Sequence, residues 1–371
     1  MPKVDNGTAM LTTHLHNTAQ AIRSTSAILS TSAESTLTCG LKILAAVLAV
    51  TGTAPALAQT ALPIDSEDKH LGVATCAGST CHGTPKPFED SPVLQNEFIT
   101  WHREDQHAQA YKVLLNEQSR RIARSLGLDN AHTAKECLVC HTDYVAEEAR
   151  GRRYQLSDGV GCEACHGGAE RWLGLHVTGA GTHEENVQAG LYPTEDPSAR
   201  ATLCLSCHLG NVGQRRIDHR IMGAGHPRLS FELDTFTIIE PWHFKIDDDY
   251  GKRKPVFSHA EIWALGQLSA AATFLDSLVN SKHKGIFPEL VYFDCQSCHH
   301  PMAYGDLFKH PKRGWTPRRT TGLGPGVVRL NDATLLMVAS IARGVSRQSG
   351  TDVRGALKAL HLATGQGWGQ T

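Results

Sequence analysis

The sequence predicts a mainly α-helical chain with long loops and little β structure. Alternating apolar and polar residues, the pattern of a half-buried strand, are sparse along the chain. The 371 residues include 34 glycines and 16 prolines, which favour turns and loops. Aromatic residues make up only 6% of the chain, so it buries little apolar surface per residue and its core needs a further component.

A cysteine motif indicates what that further component of the core is. Cys162 and Cys165 are three residues apart and are followed at once by His166, inside the glycine-flanked run 159–168. Two thiols at this spacing can add to the two vinyl groups of one haem, and the adjacent imidazole can then bind the iron. The motif therefore predicts covalent haem attachment.

The same pattern occurs at four further places. The standard form recurs at Cys137, Cys140 and His141, at Cys204, Cys207 and His208, and at Cys295, Cys298 and His299, and a longer form occurs at Cys76, Cys81 and His82. At this chain's histidine frequency, 21 of 371 residues, five such coincidences would occur about once in a million. Zinc sites need two cysteine pairs to converge and give no reason for a histidine after each pair. We therefore expect five covalently bound haem c groups, each with one iron.

Ten of the 11 cysteines belong to these motifs, and Cys39 lies outside them. No thiols then remain for structural disulfides, and haem takes their place as the covalent cross-link. The first motif has four residues between its cysteines, so its loop must bulge away from the porphyrin. Gly78 and the two small residues after it allow that bulge.

Residues 1–58 have the order of a secretory signal peptide with an N-terminal extension. Lys42 precedes the apolar run 43–50, and Ala56 and Ala58 form a small-residue cleavage site before Gln59. The run is about half the length of a membrane span, which needs about twenty residues. The long polar stretch before Lys42 leaves a start further along the chain open. We expect export to the periplasm, and no later stretch apolar enough to span a bilayer.

The formal net charge is −1, and five haems would each add two propionates. Without residues 1–58, which carry three basic and two acidic residues, the polypeptide has a formal charge of −2, so the mature protein with five ferrous haems would have a formal charge of about −12. The basic clusters are 120–121, 152–153, 215–216 and 252–254. We expect them to pair with propionates or to face solvent, and we expect no nucleic-acid partner.

Apolar periodicity predicts four helices. One covers residues 96–126, because His107, Tyr111 and Leu114 share a face, and a second begins at Ser258, which forms a capping box with Glu261. The second should bury a stripe made of Leu265, Leu268, Ala272, Leu275 and Val279. Further helices are expected at 332–345 and 353–360, and loops at 194–200 and 311–326.

Motif spacing suggests two parts after the signal segment. Four motifs lie within residues 59–212, and the fifth follows 87 residues after the fourth, as a count along the sequence shows. We therefore place a boundary near Gly213, with a tetrahaem domain before it and a helical region, 213–371, with the fifth haem after it.

The order of features from Cys76 to His208 resembles the tetrahaem cytochrome c family of nitrifying bacteria, the five-fifty-four type that accepts electrons in hydroxylamine oxidation. The shared features are a helix with His-Ala-x-Ala from His107, E-C-x-x-C-H from Glu136, G-V-G-C-E-x-C-H-G from Gly159, a histidine at His176 and C-x-x-C-H-L from Cys204. The resemblance implies a multihaem cytochrome with a haem-packed core. The longer first motif and residues 210–371 depart from the pattern.

The resemblance also implies particular distal ligands. It assigns His107 to the third haem, opposite His166, and His176 to the first haem, opposite His82. In this family the second iron lacks a sixth protein ligand. Histidines far outnumber methionines among the remaining candidates, so His/His ligation should dominate. We expect complete His/His ligation here, with His219 or His226 completing the second, fourth or fifth iron.

The leading expectation is an electron carrier between redox protein partners in the periplasm. Two alternatives stay open at this point. One is an enzyme that reduces or oxidises a small nitrogen compound at one open iron, and the other is a haem subunit of a membrane-bound redox complex. His132, shortly before the second motif, is a further histidine that could close that iron.

Overall fold

The structure, a computed structural model, describes residues 61–211, 213–280, 289–299 and 328–365. This part of the chain is mainly helical and contains no β-strand, which confirms the predicted fold class. Two isolated bridges, between His70 and Arg150 and between Phe293 and Leu330, are its only strand-like pairings.

Fourteen α-helices lie in the described ranges. In chain order they are α1 Glu97–Glu104, α2 Ala110–Val113, α3 Glu117–Leu126, α4 Lys135–His141, α5 Cys162–His166, α6 Leu173–Thr178, α7 His183–Gln188, α8 Pro197–His208, α9 His219–Gly223, α10 Leu233–Ile239, α11 Asp248–Arg253, α12 His259–Asn280, α13 Ala333–Val345 and α14 Arg347–Gly365. Short 3₁₀ turns occur between them, at Pro63–Asp65, Val73–Thr75, Gln106–Gln109, Glu147–Ala149, Leu156–Asp158, Leu290–Tyr292 and Cys295–Ser297. Most of these helices are too short to be stable alone and depend on tertiary packing.

The prediction of a single helix over 96–126 is wrong, because this stretch forms α1, α2 and α3. Asp105 has extended backbone dihedrals, φ −83° and ψ 129°, and its carboxylate accepts a hydrogen bond from the backbone N–H of His107. Asn116 caps α3 in the same manner by accepting from Ser119. Asp and Asn favour such caps over helix interiors, and this local preference outweighs the apolar periodicity.

The capping box predicted at the start of α12 is present. The backbone N–H of Ser258 donates to the Glu261 carboxylate at 2.7 Å, and the backbone N–H of Glu261 donates to the Ser258 hydroxyl at 3.3 Å. The buried stripe differs in part from the expected one, since Ala272 and Val279 are exposed and Ala271 is buried.

The outcomes for the remaining predicted elements differ. The helix expected at 332–345 is α13, and the one expected at 353–360 is part of the longer α14. The loop expected at 194–200 ends early, because Pro197 is the first residue of α8, a position that suits its fixed φ. The loop expected at 311–326 and the signal segment lie outside the described residues.

The apolar core is unevenly distributed along the chain. The largest buried cluster joins α12, α13 and α14, with Leu275, Leu335 and Leu360 at its centre. The region of the second motif has a cluster of only four buried residues, Leu114, Ala123, Ala131 and Leu138. Helix α12 also packs on α8 and α10, so it contacts helices on both sides of the boundary expected near residue 213. The small clusters agree with a core that needs prosthetic groups.

Helix α12 is also long and apolar enough to span a membrane, by length and composition alone. The expectation that no such stretch follows the signal segment therefore does not hold for the described residues. Half of the apolar window of α12 is buried against other helices, which is typical of a core helix.

Candidate haem sites

Each of the five cysteine motifs lies on or beside a short helical segment. The second motif ends α4 at His141, the third forms α5 and ends at His166, and the fourth forms the last turn of α8 and ends at His208. The first follows the turn Val73–Thr75, and the fifth begins in the turn Cys295–Ser297. All ten motif cysteines are free of disulfide bonds.

Each motif histidine faces one histidine from outside the motifs. The ring centroids are 5.9 Å apart for His82 and His176, 6.4 Å for His141 and His226, 6.4 Å for His166 and His243, 6.2 Å for His208 and His107, and 6.1 Å for His299 and His219. The planes of the first and last pairs are near parallel, at 12° and 28°. The planes of the other three pairs are near perpendicular, at 83°, 88° and 84°.

This spacing fits two axial ligands of one iron. An imidazole nitrogen binds a transition metal at about 2 Å, so two imidazoles on opposite sides of one ion have centroids about 6 Å apart. Aromatic side chains that merely pack together also lie at about 4.5 to 7 Å, so one pair by itself decides nothing. The decisive feature is the one-to-one match, because all five motif histidines have such a partner and no partner is shared.

Hydrogen bonds at Nδ1 orient five of these ten rings. The Nδ1 partners are Glu97 for His82 at 2.9 Å, Asp105 for His107 at 2.9 Å, the Ala110 carbonyl for His141 at 2.9 Å, the Pro227 carbonyl for His226 at 2.8 Å and the Pro241 carbonyl for His243 at 3.3 Å. A hydrogen bond at one ring nitrogen sets the other as the ligand atom. These rings are thereby prepared to bind iron through Nε2.

Three buried or half-buried histidines outside the pairs have Nε2 engaged. His183 bonds Glu195 at 2.6 Å and His361 bonds Asp332 at 3.0 Å through this atom, and His70 uses both nitrogens. These three histidines therefore have hydrogen-bonding roles, and His283 and His310 lie outside the described residues.

The structure places the expected distal ligands as follows. His176 lies opposite His82, as the resemblance implies. His107 lies opposite His208, whereas the resemblance pairs it with His166. The break at Asp105 sets this arrangement, because its carboxylate fixes both the backbone and the ring of His107. His226 lies opposite His141 and His219 opposite His299.

His243, the residue that faces His166, is not among the distal ligands predicted from the sequence. It lies in the loop after α10, on the aromatic segment Trp242 to Phe244, and no motif spacing relates it to the third site. Its presence among the non-motif histidines was the only sequence signal. Only the tertiary structure could select it.

Desolvation keeps two motif histidines in the form that binds metals. Burial lowers the pKa of His166 to about 4 and that of His208 to about 4. Burial opposes the charged imidazolium, so both rings are neutral at neutral pH. A neutral imidazole has the lone pair that iron requires.

Residues 75–167 match the family described as cytochrome c554 and c-prime. The matched segment is about a quarter of the chain and contains the first three motifs. The match supports similarity to multihaem c-type cytochromes over this segment. No curated protein and no solved structure matches the chain. The match supports covalently bound haem c with iron and a role in electron transfer.

Carboxylates bind and shift the pKa of two of the paired histidines. The hydrogen bond from Glu97 raises the pKa of His82. For His107, burial would lower the pKa, but the Asp105 hydrogen bond outweighs it and the pKa is raised. Asp105, His107 and Glu240 also place possible metal-ligand atoms within 4.8 Å of one another. Because Asp105 holds Nδ1 of His107 while the ring faces His208, this group belongs to the fourth site.

Glu97→Gln should raise the midpoint potential of one haem. A carboxylate bound to Nδ1 makes the imidazole more basic and favours ferric iron. A charge-assisted hydrogen bond exceeds a neutral one by about 1 to 1.5 kcal/mol, and 1.4 kcal/mol is about 60 mV for one electron. Potentiometry should therefore show one potential raised by about 60 mV. Glu104→Gln, at an exposed position of α1, is the matched control, and equal potentials in both variants would contradict this role.

Glu163 ties the third motif to the chain just before the first. It lies between the motif cysteines, is 2% exposed, and accepts hydrogen bonds from the backbone N–H groups of Leu71 at 2.7 Å, Gly72 at 2.7 Å and Ala169 at 2.9 Å. Burial raises its pKa, and these backbone donors oppose that rise. Cys76 and Cys162 are near enough for each thiol to shift the pKa of the other, downward for Cys76 and upward for Cys162. The first and third motifs are therefore neighbours.

Arg215 ties the second and fourth motifs together in a similar way. Its Nε donates to the Val139 carbonyl at 3.0 Å, and its Nη1 donates to the Ser206 hydroxyl. Both acceptors lie between the cysteines of their motifs. Cys140 and Cys207 are near enough for each thiol to shift the pKa of the other, upward for Cys140 and downward for Cys207. Arg215 is buried, so it is not the solvated residue that was one of the two expectations for it.

Arg215→Met should destabilise the protein, whereas Arg216→Met should not. The first change leaves a buried carbonyl and a hydroxyl without their donor, at a cost of about 2 to 3 kcal/mol in the free energy of unfolding. Arg216 forms an exposed pair with Asp218 at 3.2 Å, and such pairs contribute less than about 1 kcal/mol. Guanidinium unfolding followed by helical circular dichroism measures both variants. Equal midpoints would show that Arg215 does not join these motifs.

Proposed function

We propose that this protein is a periplasmic pentahaem c-type cytochrome that transfers electrons between redox protein partners, with two histidines on every iron. The observation that supports the proposal is the one-to-one pairing of five motif histidines with five others at 5.9 to 6.4 Å. An iron with two protein ligands exchanges electrons without binding substrate. The enzyme alternative requires an open iron, and these pairs leave no motif histidine in the described residues without a facing ring.

The protein's own residues would hold and arrange the cofactors. Haem c supplies one-electron chemistry when bound, and the protein sets its orientation and potential. The ten motif cysteines would anchor the porphyrins, and the paired histidines would hold the irons. Glu163 and Arg215 keep neighbouring motifs in contact, which shortens the distance over which an electron must pass.

Export and partners belong to the same proposal. A signal segment that ends at Ala58 would deliver the chain to the periplasm, where covalent haem attachment takes place. The partners would be an electron donor and an acceptor, both redox proteins. A membrane-bound redox complex is the alternative partner, and cofractionation of the protein with washed membranes would favour it.

The proposal predicts five haems and a fully low-spin spectrum. Near-parallel imidazole planes separate the iron dxz and dyz orbitals and give rhombic low-spin signals, whereas near-perpendicular planes leave these orbitals close in energy and give large-g signals. Protein matured with a complete haem-attachment system should therefore show two rhombic and three large-g low-spin signals by electron paramagnetic resonance. Intact mass should show five haem additions.

Other results would favour the alternatives. Fewer than five additions would remove the failing site from the proposal, and the long first motif is the one to examine first. Stoichiometric binding of nitric oxide or carbon monoxide to the reduced protein, with fast turnover of nitrite or hydroxylamine, would support an enzyme. No binding at any haem would support the carrier.

A further inference from the structure

Two axial histidine candidates lie on one short segment, residues 218–228, which we call the ligand strap. His219 begins α9, whose cap is Asp218, and its ring faces His299 of the fifth motif. His226 follows α9, and its ring faces His141 of the second motif. Its backbone N–H donates to the Ile221 carbonyl at 3.2 Å, and Gly225, at φ +111°, makes the turn that a residue with a side chain would rarely adopt. The strap therefore fixes the two rings relative to each other.

The strap is held from the side of the second motif. Nη2 of Arg220 donates to the Leu126 carbonyl at 2.6 Å, at the end of α3. Nε2 of Gln118, also on α3, approaches the Gly225 carbonyl at 3.5 Å. Helix α3 packs over the apolar cluster that includes Leu138 of the second motif. These contacts position His226 over the second site.

The strap is also held from the side of the fifth motif. The backbone N–H of His219 donates to the Glu289 carboxylate at 2.9 Å, and Nη1 of Arg228 lies 3.2 Å from Sγ of Cys295. Six residues lie between the two histidines, and the hydrogen bond from the His226 N–H to the Ile221 carbonyl folds the chain back at the end of α9, so the two backbones lie close together. Electron transfer falls steeply with distance, and this spacing makes the second and fifth sites neighbours.

We propose that the ligand strap supplies the distal ligand of both the second and the fifth iron, which closes the second iron and joins the fifth haem to the other four through it. This inference rests on the proposed function, because it needs haem at both motifs. Since the first and third motifs adjoin, as do the second and fourth, the fifth haem becomes an end of the series next to the second. Electrons would enter or leave the protein at that end.

The test uses the full chain with its haems attached and compares His226→Ala, His219→Ala and the double variant. His226→Ala should create one high-spin haem, bind one carbon monoxide per reduced protein and lose one large-g signal, because its pair is near perpendicular. His219→Ala should also create one high-spin haem but lose one rhombic signal, because its pair is near parallel. The double variant should bind two carbon monoxides. His259→Ala, at an exposed histidine outside the pairs, should change none of these readouts.

A substitution that keeps the iron six-coordinate is the control for misfolding of the alanine variants. His226→Met should leave all haems low-spin, raise one midpoint potential and add a sulfur-to-iron absorption band. Spectra of both alanine variants that equal the wild type would overturn the strap proposal, as would loss of the same type of signal in both. High-spin haem or fewer than five haems in the wild type would instead count against the proposed function, so the two failures are distinguishable.

Discussion

Replacing both His107 and His243 with alanine should open two irons, and the reduced double variant should bind two carbon monoxides. In the structure His107 faces His208 and His243 faces His166, so the two substitutions act on different haems. Each single variant should bind one carbon monoxide and lose one low-spin signal. The pairing implied by the resemblance, His107 with His166, would leave His243 without an iron. It predicts one carbon monoxide for the double variant.

Two further double variants test the same pairing by the number of haems that each affects. His166 and His243 share one site in the structure, so removal of both should affect only the third haem and leave four low-spin signals. Removal of His107 and His166 should affect two haems. His259→Ala controls for the loss of a histidine that is outside the pairs. If removal of His107 with His166 affected only one haem, the pairing seen in the structure would be wrong.

Asp332→Asn should destabilise the C-terminal helices by about 3 kcal/mol. Asp332 is 2% exposed and its Oδ2 accepts hydrogen bonds from His361 at 3.0 Å and from Arg329. Both partners are themselves buried, so the substitution leaves a buried cation without its counter-ion, which typically costs about 3 to 5 kcal/mol. Guanidinium unfolding followed by helical circular dichroism measures the loss.

The pH dependence of this effect has a definite sign. Burial alone would raise the pKa of Asp332, but the hydrogen bonds from His361 and Arg329 outweigh it and hold the pKa below its usual range. A carboxyl with a lowered folded-state pKa stabilises the protein above its unfolded-state pKa of about 3.9 and loses that contribution as the pH falls through the folded-state value. The difference between wild type and variant should therefore be constant near neutral pH and shrink below about pH 4.

Asp249→Asn is the control for loss of one carboxylate. Asp249 pairs with Arg253 on the exposed helix α11, and such a pair contributes less than about 1 kcal/mol. Its unfolding midpoint should equal that of the wild type within that range. A destabilisation by Asp332→Asn no larger than that of Asp249→Asn would show that the buried network does not stabilise the C-terminal helices.

Local sequence decided the features that depend on a few neighbouring residues. The C-x-x-C-H spacing indicates haem c attachment, and the family match supports this chemistry for the region of the first three motifs. The Ser258 and Glu261 capping box was readable because its hydrogen bonds span three residues. The mainly helical class followed from the scarcity of strand patterns and is confirmed. The haem count of five and the export segment stay predictions.

Predictions from local sequence failed where two local preferences competed. Periodicity favoured one helix over 96–126, but the side chains of Asp105 and Asn116 end helices by bonding backbone N–H groups. Those breaks turn His107 toward the fourth site. The loop predicted over 194–200 includes Pro197, although the first turn of a helix accommodates this residue well.

The sequence by itself determined the candidate set of ten cysteines and five histidines for haem attachment, because each motif is complete within five to seven consecutive residues. Only the tertiary structure decided which distant histidine faces each of them, and it selected His243, 77 residues from His166 along the chain. Axial ligation depends on two rings meeting across a gap of about 6 Å. The positions of these rings depend on the helix end at Asp105, on the turn at Gly225 and on buried contacts such as those of Glu163 and Arg215. Spacing along the sequence does not encode these positions.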